Sequence, residues 1–345
     1  MRVPRLIVTL LGAGAAYAQS SATLDAILAF MGEDSEFGLF VQLAQAIPVS
    51  DIAAFASLLT SNVTIAIPES APNGTVSQLL GNPSSILPLL SYHIIRAPVD
   101  NSSITTSPNH TILPTALTDS STVFLENNQS QALVLTTESD GTIHILNQPS
   151  DVLLTPRDSF GVLDVTYAWA NISDLLTVPS SISSTIPTTN NSAFGVEASV
   201  AGVLNTYEAQ HGITLFVPQD AAFSTANSTL SGMNSTALAS VLNGHVLNNT
   251  LYSPQFTSAQ TQVSLAGQPL TLSGDTVSLQ GGNSAKIITS DVLLENGVMH
   301  VVDTVLLLDS VKSSGGVASV RAVVGGVGWL GSVVPVVAGA VLAVW

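Results

Sequence analysis

Thr214-Leu215-Phe216-Val217-Pro218-Gln219-Asp220-Ala221-Ala222-Phe223 is a β-rich run stopped by a proline and followed by a helix-opening stretch. A second version stands 150 residues earlier as Thr64-Ile65-Ala66-Ile67-Pro68-Glu69-Ser70-Ala71. Ser91-Tyr92-His93 answers to Asn243-Gly244-His245 at an offset of 152. Asp140-Gly141-Thr142-Ile143-His144 answers to Asn296-Gly297-Val298-Met299-His300 at an offset of 156. Three landmarks in one order imply two copies of a single domain, and a fixed-period repeat must be read before any fold is assigned.

Around each landmark the hydrophobic period changes in the same way. Apolar residues at helical spacing occupy 24–30, 37–44 and 52–59, ahead of a strand at 63–67 that Pro68 ends. A helix at 86–95 and short strands at 123–125, 133–135 and 143–146 follow, with Asp140-Gly141 as a tight hairpin signal. In the second copy the helical part lies at 175 and 200–207, the strand at 213–217 and the next helix at 238–247. Short strands at 263–265, 270–272, 277–279 and 286–289 precede the closing hairpin turn Asn296-Gly297. The fold class is α+β, with helices gathered at one side of a mostly antiparallel sheet.

The two ends carry targeting chemistry. Arg2 and Arg5, an apolar run at 6–16 and Ala16-Tyr17-Ala18 read as a cleaved secretory signal, residues 1–18. At the other end, Ser313-Ser314-Gly315-Gly316 precedes a tail at 322–345 without a charged residue. Small residues, a spacer and a greasy tail are the order of a glycosylphosphatidylinositol (GPI) signal, with Ser314 the expected acceptor and Ser313 or Gly315 the alternatives. A transmembrane helix is the competing reading, although no Lys or Arg follows the tail. The expected divisions are therefore 1–18, a first domain at 19–157, a second at 158–310, and 311–345 for the small-residue acceptor region with the removed hydrophobic tail.

Removal of both ends leaves four cationic residues, Arg96, Arg157, Lys286 and Lys312, against 23 acidic ones, a net charge of −19. Such a surface repels nucleic acid and anionic lipid headgroups. The chain has no cysteine, so each domain must be held by core burial alone, and thiolate metal sites are excluded. Ten sequons, at Asn62, Asn73, Asn101, Asn109, Asn128, Asn171, Asn190, Asn227, Asn234 and Asn248, predict a heavily glycosylated surface.

The stretch Thr214 to Phe223 quoted above resembles the first signature box of fasciclin-like domains, and Asn296-Gly297-Val298-Met299-His300-Val301-Val302-Asp303 resembles the second. Tyr92-His93 resembles the tyrosine–histidine element that lies between the boxes. The resemblance implies two tandem fasciclin-like domains over about residues 20–310, the first divergent, and singles out Thr214, Phe216, Pro218, Asp220, Phe223, His300 and Asp303. Each copy departs from the pattern differently. Asn147 stands in the first where Asp303 stands in the second, and Gly244 replaces the tyrosine in the second.

Chains of this kind are similar to cell-surface proteins of fungi and plants, and the aliphatic, Ser/Thr-rich composition suits a fungal source. The implied role is adhesion or organisation of wall and matrix on the outer face of the plasma membrane. Partners would be surface proteins and polysaccharides, with weak self-association, and no cofactor. Tyr92, His93 and His245 are the recognition candidates.

Catalytic motifs are missing from the sequence: no Gly-x-Ser-x-Gly elbow, no Asp-Thr-Gly pair and no His-Glu-x-x-His. His144 and His300 read as hairpin-stabilising residues at equivalent positions, and Asp220 as the N-cap of a helix beginning at Ala221. Two rival readings stay open: a carrier with an apolar internal cavity, and a wall-remodelling glycosidase drawing on Asp151, Glu197 or Asp220.

Overall fold

The computed structural model describes residues 22, 24–60, 62–162, 165–189 and 191–313. The secretory signal, Asn190, Ser314, Gly315 and the apolar tail lie outside the described residues. Among the described residues the chain builds two seven-stranded sheets in series.

The first domain contributes β1 (Thr64–Pro68), β2 (Ile94–Ile95), β3 (Thr111–Pro114), β4 (Ala132–Thr137), β5 (Ile143–Ile145), β6 (Val152–Val162) and β7 (Val165–Ile172). Their order across the sheet is β2-β1-β7-β6-β5-β4-β3. The second contributes β8 (Ile213–Pro218), β9 (Val246–Leu247), β10 (Gln260–Val263), β11 (Pro269–Ser273), β12 (Thr276–Leu279), β13 (Ser284–Leu294) and β14 (Gly297–Val302), in the order β10-β11-β12-β13-β14-β8-β9. Reversing one list superimposes it on the other, so both copies share one topology. The β1·β7 and β8·β14 pairs are parallel and the other strand pairs antiparallel.

Period-two alternation in the first strand of each copy divides the core into two layers. Ile65 and Ile67 face the helices Gly38–Gln45, Ile52–Leu58 and Ile86–Tyr92, whereas Ala66 faces the layer enclosed by the strands. In β8, Leu215 and Val217 face the helices Ser192–Val200, Asp220–Leu230 and Ser235–Asn243, and Phe216 faces the strand layer. All of β1 and β8 is buried, which explains their continuous apolar reading.

The expected division at 157/158 is overturned, because it cuts through β6. β6 and β7 both belong to the first sheet, so the first domain runs to Ile172 and the crossing falls at about 174–181. The strand expected at 123–125 is instead an irregular segment whose backbone bonds to the other domain. The helix expected at 238–247 ends at Asn243, and the two residues of β9 complete that span.

Candidate functional site at the domain junction

Three polar latches recur in both copies. Thr64 Oγ1 donates to the Ala97 carbonyl at 2.8 Å and accepts from the Val99 amide at 3.1 Å; Thr214 Oγ1 does the same with Asn249 at 2.6 Å and Leu251 at 2.9 Å. Each threonine thus ties its strand to the chain leaving the short edge strand beside it.

The histidines form the second latch. His93 Nδ1 donates to the Leu89 carbonyl at 2.8 Å, and its Nε2 accepts the Leu176 amide at 3.1 Å. His245 repeats this with Val241 at 2.8 Å and Leu306 at 2.8 Å. Both rings join a helix end to the segment leaving the last strand of their domain. Burial lowers each imidazole to about 4, against the partial opposition of its backbone hydrogen bond, so both are neutral at physiological pH.

The expectation that Tyr92, His93 and His245 contact a partner is corrected on this evidence. All three have no exposed surface, and the Tyr92 hydroxyl donates to the Ala132 carbonyl at 3.2 Å. They are internal fasteners, and recognition must use other surfaces.

The third latch corrects the alignment of the copies. Asp303 accepts the Lys286 amide at 2.9 Å while its own amide donates to the Lys286 carbonyl at 3.0 Å. Ser173 does the same with Leu153: its Oγ accepts the amide at 2.9 Å, and its amide donates to the carbonyl at 3.0 Å. The residue matching Asp303 is therefore Ser173, not Asn147. By the same register, Thr64 pairs with Ala168 and Thr214 with Val298, so His300 corresponds to Ala170 and not to His144. The bulk is redistributed accordingly. The first copy has Ala66, Ala170 and Tyr92 where the second has Phe216, His300 and Gly244.

The other residues singled out by sequence take structural positions. His300 is buried against Phe216 and Phe256, at centroid distances of 5.6 and 5.2 Å. Its Nε2 donates to the Leu251 carbonyl at 2.9 Å, which leaves Nδ1 to accept the Asp291 amide at 3.2 Å. Burial, which outweighs the attraction of Asp291, lowers its basicity. Phe223 packs in the helical core beside Phe194, and Pro218 ends β8. Asp220 is the first residue of its own helix instead of its cap, and its carboxylate accepts from the Ala193 amide at 2.8 Å and the Ser192 hydroxyl at 3.0 Å. It therefore caps the start of the neighbouring helix.

The domains meet along a hydrogen-bonded seam that sequence reasoning missed. The Phe124 amide donates to the Glu295 carbonyl at 2.8 Å, and the Phe124 carbonyl accepts the Gly212 amide at 3.0 Å. Gln131 Nε2 donates to the Leu294 carbonyl at 2.9 Å. The Glu126 carboxylate takes the Thr250 amide at 2.9 Å and the Thr250 hydroxyl at 2.8 Å.

At the end of the seam a bulge in β13 gives Asp291 a φ of 60° and turns its carboxylate into the junction. Asp291 accepts His110 Nδ1 at 2.7 Å, the Ser253 amide at 2.7 Å and the Ser253 hydroxyl. Its carbonyl accepts the Asn147 side-chain amide from the first domain. Burial alone would raise the Asp291 pKa, yet the His110 bond, nearby His300 and the two Ser253 bonds together hold it below the usual carboxylate range. His110–Asp291 has the orientation of the histidine–carboxylate half of a hydrolytic triad. Among the described residues no hydroxyl is bonded to His110 Nε2; Ser290 Oγ lies 3.4 Å from Nδ1 instead.

Two hollows remain. An apolar one in the second domain, lined by Gly244, Leu279, Leu306 and Val311, has about 20 Å³ of room. That is far below the several hundred Å³ of a ligand cavity, and it gives the carrier reading no support. An open cleft of about 520 Å³ lies between the domains, with Ser103, Thr105 and Gln129 on one wall and Thr250, Tyr252 and Gln255 on the other. Of the carboxylates considered for glycoside cleavage, Asp151 bonds His144 at 2.7 Å and Asp220 caps a helix, and none of the three lines this cleft.

Eight sequon asparagines among the described residues are exposed: Asn62, Asn73, Asn101, Asn109, Asn128, Asn227, Asn234 and Asn248. Asn171 is the exception, being buried in β7 with its Nδ2 donating to Glu69 at 2.9 Å, and its site is closed in the folded protein.

A family profile described as Fasciclin domain matches residues 190–308. A fasciclin-like arabinogalactan protein of Arthroderma benhamiae is 28% identical over 236 residues, 68% of this chain and 53% of that protein. The chain thus spans about half the length of that relative. The fasciclin-like arabinogalactan protein elcF of Phaeosphaeria nodorum is 34% identical over 116 residues, 33% of this chain and 36% of its own. A FAS1 domain pair from the insect cell adhesion molecule Fasciclin I matches at 15% identity with a TM-score of 0.33, covering 81% of this chain and 99% of the pair. With the profile match and the fungal relatives, residues 190–308 are a fasciclin domain, and the chain is similar to fasciclin-like proteins over about two thirds of its length.

Proposed function

We propose that this chain is a non-enzymatic adhesion or wall-organising glycoprotein, secreted, held on the outer face of the plasma membrane by a GPI anchor and in part transferred to the wall. The observation that carries the reading is the use to which its reactive side chains are put. His93, His245 and His300 are buried and fully engaged, and Asp291 is committed to the seam. The outer surface is left for contact. The names of the fungal relatives, as arabinogalactan proteins, agree with a sugar-bearing protein at the cell surface.

Shallow contacts with surface proteins and polysaccharides gain strength from many copies on one membrane, because the second contact is made at high effective concentration. The test is treatment of intact cells with a phosphatidylinositol-specific phospholipase. Release of full-length protein into the medium is expected, and retention would overturn the anchor. Cells lacking the gene should show altered cohesion or wall texture; unchanged cohesion would overturn the adhesive role.

A further inference from the structure

Thr250 and His110 line the cleft between the domains but are already engaged in the seam, by Glu126 and Asp291. Beyond these, its walls carry the hydroxyls of Ser103, Thr105 and Thr111, the amides of Gln129 and Gln255, and the half-buried ring of Tyr252. Lys, Arg, Asp and Glu are absent from the lining, although the chain as a whole has a net charge of −16. Hydroxyl and amide groups both donate and accept, and an aromatic ring offers an apolar face with a polar edge. That combination suits a neutral polyhydroxylated ligand carrying C–H faces, namely a sugar. The volume of about 520 Å³ lies within the range of small-molecule sites.

The rim of the cleft indicates where the sugar comes from. Asn109 adjoins His110, and Asn128 adjoins Gln129; Asn101 is two residues from Ser103, and Asn248 two from Thr250. All four asparagines are exposed sequon positions, and the first three come from one domain and the fourth from the other. Half of the exposed sequons thus neighbour a single hollow. A sugar joined to any of them is held beside the walls without the translational cost of free association.

We propose that the interdomain cleft is a saccharide-binding site occupied by the core sugars of the chain's own N-linked glycans, principally those on Asn109 and Asn128. The inference rests on the reading of the chain as a secreted glycoprotein. The glycan packs across the junction and reinforces the seam, with the acetamido and hydroxyl groups of its first sugars meeting the Thr and Gln side chains.

The experiment uses protein secreted from a glycosylating yeast host and treated, without denaturant, with an endoglycosidase that cuts within the core disaccharide. Glycopeptide mass spectrometry follows release at each site. Release at Asn109 and Asn128 should be at least about tenfold slower than at Asn73 and Asn227, as local protection of that order predicts. Pro254→Trp puts a large ring into the cleft from an exposed position outside every sequon. It should raise the two slow rates to those of Asn73 and Asn227 while circular dichroism stays unchanged.

Equal rates in the unsubstituted native protein, the result expected of a cleft filled by sugars from outside, would overturn the proposal. Bare asparagines at all four rim sites with sugar on Asn73 and Asn227 would also overturn it, and would leave the secreted-glycoprotein reading intact. Bare asparagines at every site would overturn both.

Discussion

His110 Nδ1 donates to Asp291 Oδ2 at 2.7 Å across 181 residues of chain, and with the Asn147 bond to the Asp291 carbonyl it closes one end of the seam between the two domains. Its surroundings make it consequential. Asp291 is fully buried, and it also takes the Ser253 amide and hydroxyl. Asp291→Ala leaves those donors and the imidazole without an acceptor in a closed junction. A loss of about 3–5 kcal/mol is expected for removal of one partner from a buried pair. Urea unfolding should report it, and a loss under about 1 kcal/mol would show that water replaces the carboxylate freely.

Acid should open the same seam. The folded protein holds Asp291 below its ordinary value of 3.8, through the bonds that overcome its burial. A carboxylate depressed on folding contributes stability that is present above the unfolded pKa and lost as pH falls through the folded one. The contribution is therefore intact above about pH 3.8 and disappears below it. Small-angle scattering followed from about pH 5 downward should show the two domains separating before either unfolds. Asp291→Asn should remove that acid transition, since its amide does not titrate.

The histidine latches give a second, higher pH window. His93 and His245 fall from an ordinary 6.5 to about 4 because burial disfavours the charged ring. Above 6.5 both folded and unfolded states are neutral and the full stability is present. As pH falls toward 4 the unfolded chain takes up protons that the folded one refuses, at a cost of up to about 3 kcal/mol per histidine. Denaturant titrations at pH 7.5 and pH 4.5 should differ by an amount of that order. Replacing either ring by glutamine should flatten the profile, and an unchanged profile would mean that these rings are hydrated.

Much of this fold can be read from the sequence where one physical signal has one meaning. A β-rich run cut off by Pro68 or Pro218 is a buried strand beside the last strand of its domain, and both copies obey it. Tyr92-His93 and Gly244-His245 end their helices at matching places. The turn signal, by contrast, has several meanings. Asp140-Gly141 joins β4 to β5, whereas Asn296-Gly297 joins β13 to β14, and a two-residue turn says nothing about which hairpin it closes. Pairing these turns displaced the equivalence of His300 from Ala170 to His144 and the domain boundary from about 174 to 157. The boundary expected at 157/158 falls in the polar run of β6, Thr155-Pro156-Arg157-Asp158-Ser159, but Thr155 to Arg157 pair with β7 and the register shifts before Phe160. The seam was illegible because Glu126, His110 and Asp291 acquire meaning only once the two domains are placed together.

Asn171 separates a sequon motif from a usable sequon. The oligosaccharide would have to replace the Nδ2 hydrogen that binds Glu69, inside a strand flanked by β1 and β6. Peptide mapping of the secreted protein should find Asn171 unmodified while Asn73 and Asn227, both exposed, carry sugar. A glycan at Asn171 in folded protein would mean that β7 does not pair as described. Asn171→Ala should cost about 1.5–3 kcal/mol, the usual range for a hydrogen bond to a charged group.

Gly212 tests whether the seam holds the domains or merely touches. Its φ of +79° is a left-handed conformation, and a Cβ placed there would stand 1.9 Å from Glu126 Oε2. The Glu126 side chain is pinned in that position by two bonds to Thr250, so it cannot retreat without breaking both. Gly212→Ala therefore combines backbone strain of about 1 kcal/mol or more with the loss of the Glu126–Thr250 contact. Because Gly212 lies on the rim of the second domain, the damage should fall on the junction and leave the two cores folded. Limited proteolysis should then cut within 174–181 and release two resistant fragments, where the parent protein resists cleavage. Equal resistance in both proteins would show that the domains are joined by the other contacts alone, and that the glutamate wedge against Gly212 contributes nothing to their union.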